Sequence, residues 1–190
     1  MNVFVTGGAG YIGSICTEEL LQAGHQVTVY DNLTEGHRSA VDSRARFILG
    51  KPEEPDDVLR AVRMAKPDAI MHFAASALVG ESMTNPKKYF HNNFVNALKL
   101  ADAAVECGVK KFVFSSTCAT YGVPQALPIV ETTPQQPINP YGWSKRFVEQ
   151  VLVDRGRPVR ILPASPCDTL TSRAAPKMAP SARTTIPKRI

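Results

Sequence analysis

The chain has 190 residues, 44% of them hydrophobic, which suits one α/β domain with a real core and leaves too little for a second of ordinary size. Its net charge of +5 is unevenly spread: residues 1–154 hold 14 basic and 16 acidic side chains, residues 155–190 hold 8 and 1. No apolar stretch reaches the roughly 18 residues that span a bilayer, and no basic leader precedes the first strand pattern, so membrane and secreted classes are excluded and a cytoplasmic protein is expected.

Val3-Phe4-Val5 opens a series of short β-rich runs that continues with Val27-Thr28-Val29-Tyr30, Phe47-Ile48-Leu49, Ala69-Ile70-Met71 and Phe112-Val113-Phe114. Runs without polar alternation are strands buried on both faces, and with helical patterns between them they predict a doubly wound parallel sheet. Between the first run and a helix carrying Ile12, Ile15, Cys16 and Leu20 lies Gly7-Gly8-Ala9-Gly10-Tyr11-Ile12-Gly13. Gly7 permits the tight turn, Gly10 lets a diphosphate approach the backbone, and Gly13 lets the helix pack on the sheet. The helix start offers free N–H groups to phosphate. Asp31, after the second strand, is placed to accept hydrogen bonds from a ribose and to repel a 2′-phosphate, which predicts NAD rather than NADP.

A helix is predicted over Pro86 to Cys107, with Phe90, Phe94, Ala97, Leu98, Ala101, Ala104 and Val105 on one stripe. The hydroxyl-rich loop Ser115-Ser116-Thr117-Cys118-Ala119-Thr120-Tyr121-Gly122 leaves the end of the fifth strand, where ligand crevices form, and Thr117 is a candidate for bonding a substrate oxygen. Tyr141-Gly142-Trp143-Ser144-Lys145 opens a further helix with Phe147, Val148, Val151 and Leu152 as its apolar stripe. Tyr141 and Lys145 are four residues apart and share a face. A tyrosinate there can take a hydroxyl proton while a hydride leaves the same carbon. Bringing a phenol from about 10 to about 7 takes roughly 4 kcal/mol of preferential stabilisation, with a nearby ammonium and a positive nicotinamide as sources.

Beyond Arg155 the chain carries six prolines among Ala, Ser, Thr and Arg. Val159-Arg160-Ile161-Leu162 can form one short strand; the remainder, to residue 190, lacks a periodic apolar pattern and is expected to be a basic, disordered tail. A nucleic-acid partner would rest on this tail alone, and charge without interleaved aromatics binds only non-specifically. Cys16, Cys107, Cys118 and Cys167 lie far apart without a CxxC, and His25, His37, His72 and His91 form no cluster; no metal site is expected, and the histidines read as structural.

Taken together, Gly7 to Gly13, Asp31-Asn32-Leu33, His72-Phe73-Ala74-Ala75, Val79-Gly80-Glu81-Ser82, Asn92-Asn93, Ser115 to Gly122, and Tyr141 with Lys145 resemble the extended short-chain dehydrogenase/reductase family, in its UDP-glucose 4-epimerase (UDP-galactose 4-epimerase) branch. The resemblance covers about residues 1–153. It implies a Rossmann-like NAD-binding domain over 1–154 and epimerisation at C4 of a UDP-sugar by transient hydride transfer. Tyr141 would serve as base, Lys145 would hold the nicotinamide ribose and depress the tyrosine, and Thr117 would orient the 4-oxygen. Gly7, Gly10, Tyr11, Ile12, Gly13, Asp31, Asn32, Phe73, Ala74, Ala75 and Asn93, with Tyr141 and Lys145, would line the cofactor, and the helices near 86–107 and 139–153 would pair two subunits in a homodimer.

The sequence departs from this pattern in three places. Gly50-Lys51-Pro52 stands where the family has Gly-Asp beside the adenine, and Asn96 stands where a helix glycine is common. The family's later strand and UDP-gripping C-terminal domain have no counterpart; Arg155–Ile190 reads like translation in a shifted frame, which predicts a C-terminally truncated chain with impaired turnover. A catalytically silent NAD-binding fragment and another NDP-sugar epimerase or dehydratase remain alternatives.

Overall fold

Val3 and Val5 of the first strand, β1 (Asn2–Thr6), pack on one side of a sheet with Val27 and Val29 of β2 (Gln26–Asp31), while Phe4 packs on the other side with Ile70 of β4 (Ala69–His72) and Phe114 of β5 (Lys111–Ser115). Alternation along each strand therefore buries both faces, as the unbroken apolar runs require. Phe4, Ile70 and Phe114 are fully buried, each stabilising by roughly 1.5–3 kcal/mol. The computed structural model describes residues 1–52, 54, 56–154 and the backbone of strand 159–162. With β3 (Arg46–Leu49) and β6 (Val159–Leu162), the strands form one wholly parallel sheet in the order β3-β2-β1-β4-β5-β6. This is the dinucleotide-binding order, with its reversal between β1 and β4. The short strand expected at Val159–Leu162 pairs in register with Phe112–Ser115, and the expectation of disorder after it falls outside the described residues.

Helix α1 (Tyr11–Gln22) covers the Val3/Val5 face, and α2 (Asp57–Ala65), α5 (Asn96–Glu106) and α6 (Pro140–Asp154) cover the Phe4 face. Short helices α3 (Val79–Thr84) and α4 (Pro86–Tyr89) follow β4, and a π-helical turn, Phe90–Val95, joins α4 to α5. That turn corrects the expected stripe. It inserts one residue per turn relative to an α-helix, so the inward positions become Tyr89, Asn93, Ala97, Leu100, Ala101 and Ala104, while Val105 is exposed. Two other stripes also differ. In α1 the buried positions are Gly13 and Thr17, and Ile12 is exposed; in α6 Phe147 turns outward, and Lys145, Val148, Glu149 and Leu152 turn in. Among the described residues no helix is long and apolar enough to cross a membrane.

Candidate active site

The C-terminal ends of β1, β2 and β4 open on a cavity of about 1140 Å³. Gly7, at φ +74°, turns the chain off β1, and a Cβ there would lie 2.5 Å from the Ala74 backbone nitrogen. A Cβ on Gly13 would lie 2.1 Å from the Gly7 carbonyl oxygen, so the start of α1 rests on the loop at a distance open only to glycine. No acidic residue occupies the first turn of α1, and no side chain caps it. Its N–H groups and positive dipole end are therefore available to phosphate oxygens, and the cradle fits a dinucleotide diphosphate.

Gly7, Gly10, Tyr11, Ile12 and Gly13 line this cavity, and so do Asp31, Asn32, Phe73, Ala74 and Ala75. Asp31 is buried at the end of β2, with Oδ2 accepting from Ala9 N at 2.9 Å and Oδ1 from Leu33 N at 2.8 Å. Each oxygen keeps a lone pair, enough to accept ribose hydroxyls. Pro52 also lines the cavity; beside it Lys51 N donates to Asp57 Oδ2 at 2.9 Å and Lys99 Nζ to Pro52 O at 3.0 Å. Asn93 does not line the cavity. Its side chain accepts from Ser76 N at 2.8 Å and donates to Ser76 O at 2.9 Å and Ser144 Oγ at 3.1 Å, bolting the segment after β4 to α6.

Thr117, Tyr141 and Lys145 come together beside the cavity, not among its lining residues. Asn139 accepts from Gly142 N at 2.8 Å and starts α6 with Pro140 in its first turn. Gly142 lies so close to Ala119 that a Cβ would be 2.6 Å from its carbonyl oxygen. This contact draws the first turn of α6 onto the loop after β5, where the Tyr141 phenol neighbours the Thr117 hydroxyl. Lys145 Nζ donates to Ser115 O at 2.9 Å and sits 4.8 Å from the centre of the Phe114 ring. The same ring stacks on His72, a cavity-lining residue, at 5.7 Å, so the lysine lies one aromatic layer from the cavity wall.

The charges differ from the expectation. Burial pushes the Tyr141 phenol up, with the Thr117 hydroxyl opposing and the neighbouring Cys118 adding to the rise. The Lys145 ammonium is directed at the Ser115 carbonyl and the Phe114 ring. Burial also holds Lys145 down to about 8, opposed by Glu149. His72 is held down to about 3 by burial and then by Lys145, so it is neutral at pH 7.

Several residues at this site escaped the sequence reading. Glu149 is buried and accepts from Ser116 Oγ and Gln135 Nε2. Ser144 Oγ donates to Tyr141 O at 2.7 Å. Across the cavity, Glu35 accepts from Ser76 Oγ at 3.0 Å and pairs with Lys88 at 3.5 Å. The one available signal was spacing: Tyr141, Lys145 and Glu149 stand at successive four-residue steps on one face of α6.

The sequence profile of the NAD dependent epimerase/dehydratase family matches residues 3–161. A UDP-glucose 4-epimerase of Lacticaseibacillus casei is 50% identical over 152 residues, covering 80% of this chain and 46% of that protein. A probable UDP-arabinose 4-epimerase 3 of Arabidopsis thaliana is 46% identical over 165 residues, covering 80% and 39%. The crystal structure of UDP-glucose 4-epimerase from Brucella ovis in complex with NAD superposes with a TM-score of 0.80 at 43% identity, covering 85% of this chain and 50% of that one. The chain thus spans about half the length of the curated relatives it matches. On its strand order, its glycine cradle and this match, the chain belongs to the NAD dependent epimerase/dehydratase family.

Proposed function

We propose that the chain carries the cofactor-binding and proton-transfer part of an NAD-dependent UDP-hexose 4-epimerase, with UDP-glucose and UDP-galactose as the epimer pair. The observation that carries this reading is the placing of Tyr141 and Lys145 one helical turn apart on α6, packed on the loop after β5 by the Gly142–Ala119 contact and the Lys145–Ser115 hydrogen bond, beside a cavity that the glycine loop opens. When bound, NAD supplies a hydride acceptor and donor and a positive ring near the phenol. The Gly7–Gly13 loop and the start of α1 hold the diphosphate, and Asp31 with Asn32 holds the adenine-side ribose. Phe73, Ala74 and Ala75 form the wall opposite, and Asn93 keeps that wall in place through Ser76. Tyr141 takes the proton of the sugar 4-hydroxyl and later returns it, Thr117 orients the 4-oxygen, and Lys145 has two N–H groups left for the nicotinamide ribose after bonding Ser115. Relatives named for UDP-glucose and for UDP-arabinose support 4-epimerisation and differ in the sugar.

The test is calorimetric titration of the purified chain with NAD, followed by a coupled assay for UDP-glucose formed from UDP-galactose. NAD binding with impaired turnover is expected, with Tyr141→Phe lowering the remaining turnover by about 10²-fold or more and leaving NAD affinity within a few fold. Binding without turnover favours a silent NAD-binding unit, and no binding overturns both readings. The reading extends to a homodimer through α5 and α6, where Trp143 and Phe147 remain 40% and 39% exposed beside Phe90 and Phe94. Sedimentation as a monomer at all concentrations would remove that part.

A further inference from the structure

We propose that Glu149 is a positioning residue of this site: its buried carboxylate ties the end of β5 to α6 and compensates the Lys145 ammonium, so that the lysine and tyrosine keep their register on the strand. The inference rests on reading Tyr141 and Lys145 as the proton-transfer pair.

Consecutive residues after Phe114 meet α6 in turn. Ser115 O accepts from Lys145 Nζ and Ser116 Oγ donates to Glu149 Oε1, and Thr117 is the next residue, neighbouring Tyr141. The three α6 residues are 141, 145 and 149, successive positions on one helical face. Glu149 reaches further through its second oxygen. Oε2 accepts from Gln135 Nε2 at 2.7 Å, Gln135 Nε2 also donates to Thr120 Oγ1 at 3.2 Å, and Thr120 Oγ1 donates to Thr117 O at 2.9 Å. One carboxylate therefore holds Ser116 directly and the Thr117 backbone through two intermediates.

Glu149 is 6% exposed and Lys145 is 3% exposed. A charge buried this deeply is strongly destabilising unless a partner compensates it. The groups facing Lys145 are Glu149 on its own helix, the Phe114 ring and Ser115 carbonyl on β5, and His72 on β4. His72 is neutral at pH 7, which leaves Glu149 as the anion acting on the lysine. A purely space-filling role would be met by glutamine.

The experiment is a pH titration of the Lys145 ¹³Cε resonance in the full chain, assigned through Lys145→Arg, with no cofactor or substrate present. Glu149→Gln is expected to raise the Lys145 acid dissociation constant about tenfold, moving its midpoint down, while Glu149→Asp restores most of the difference. An unchanged midpoint in folded Glu149→Gln overturns the proposal. If Glu149→Gln does not fold, the Lys145→Met/Glu149→Gln double variant decides: recovery of the folded state supports charge compensation, and failure to recover overturns it. Because neither measurement involves NAD, loss of the epimerase reading would leave these outcomes unaffected, and the reverse holds too.

Discussion

The two halves of the site are built from opposite materials. Around β1, α1 and β2 the cradle consists of backbone and small residues, and its tolerances are steric: a 2.1 Å approach at Gly13 and a positive φ at Gly7. Around β5 and α6 the site consists of buried polar side chains, including Ser116, Thr117, Thr120, Ser144, Lys145 and Glu149, each with a hydrogen-bond partner. The first half depends on shape and the second on a complete set of partners. Changes to the first act through crowding, and changes to the second through unpaired polar groups and protonation.

Acidification separates the halves most strongly. His72, between them, is neutral and held down to about 3, its Nδ1 within 2.6 Å of Thr6 Oγ1 and its Nε2 without a protein partner. Below the ordinary histidine value of about 6.5 the unfolded chain binds a proton that the folded chain refuses, so stability falls as pH drops from about 6.5 toward 3. That loss amounts to roughly 5 kcal/mol for this group, and His72→Gln should flatten the slope in urea unfolding measured across that range. Gly13→Ala should cost about 3 kcal/mol, because the added methyl meets a backbone oxygen that cannot move without opening the loop. An unaltered thermal midpoint would break the steric account of the first half. Asn93→Ala strands Ser76 N and Ser76 O, removes one of the two bonds of Ser144 Oγ, and should cost about 2 kcal/mol of stability. Calorimetry should find its NAD affinity reduced through Ser76 displacement, less than its stability. The smallest effect is expected at Asp31→Asn, where one backbone bond is lost and a ribose acceptor weakened; NAD binding should weaken about tenfold, near 1.4 kcal/mol.

This contrast also explains what could be read in the sequence. The doubly wound parallel sheet followed from unbroken apolar runs and helix-length spacers, and Gly7, Gly13 and Asp31 were visible because steric tasks restrict residue type at fixed spacing. Tyr141, Lys145 and Thr117 were visible as a pattern. Glu149, Gln135 and Ser144 were not, since a polar residue on a helix or loop ordinarily faces water and only tertiary packing buries these three or half-buries them. Phe90 and Phe94 were assigned to the stripe and are only partly buried, while Tyr89 and Asn93 face inward. That shift traces to the π turn at Phe90–Val95, which no periodicity of 3.6 can represent.

That turn lets a single rod present two unrelated faces. Ahead of it, Asn93 addresses the loop after β4 and α6; past it, Ala97 and Leu100 address the sheet. A chain shortened by one residue there would still be a good helix, yet everything upstream would be dialled round by about 100°, carrying the amide away from Ser76. Length at this point is thus as constrained as residue identity, and natural or engineered deletions should be rarer here than in the neighbouring turns.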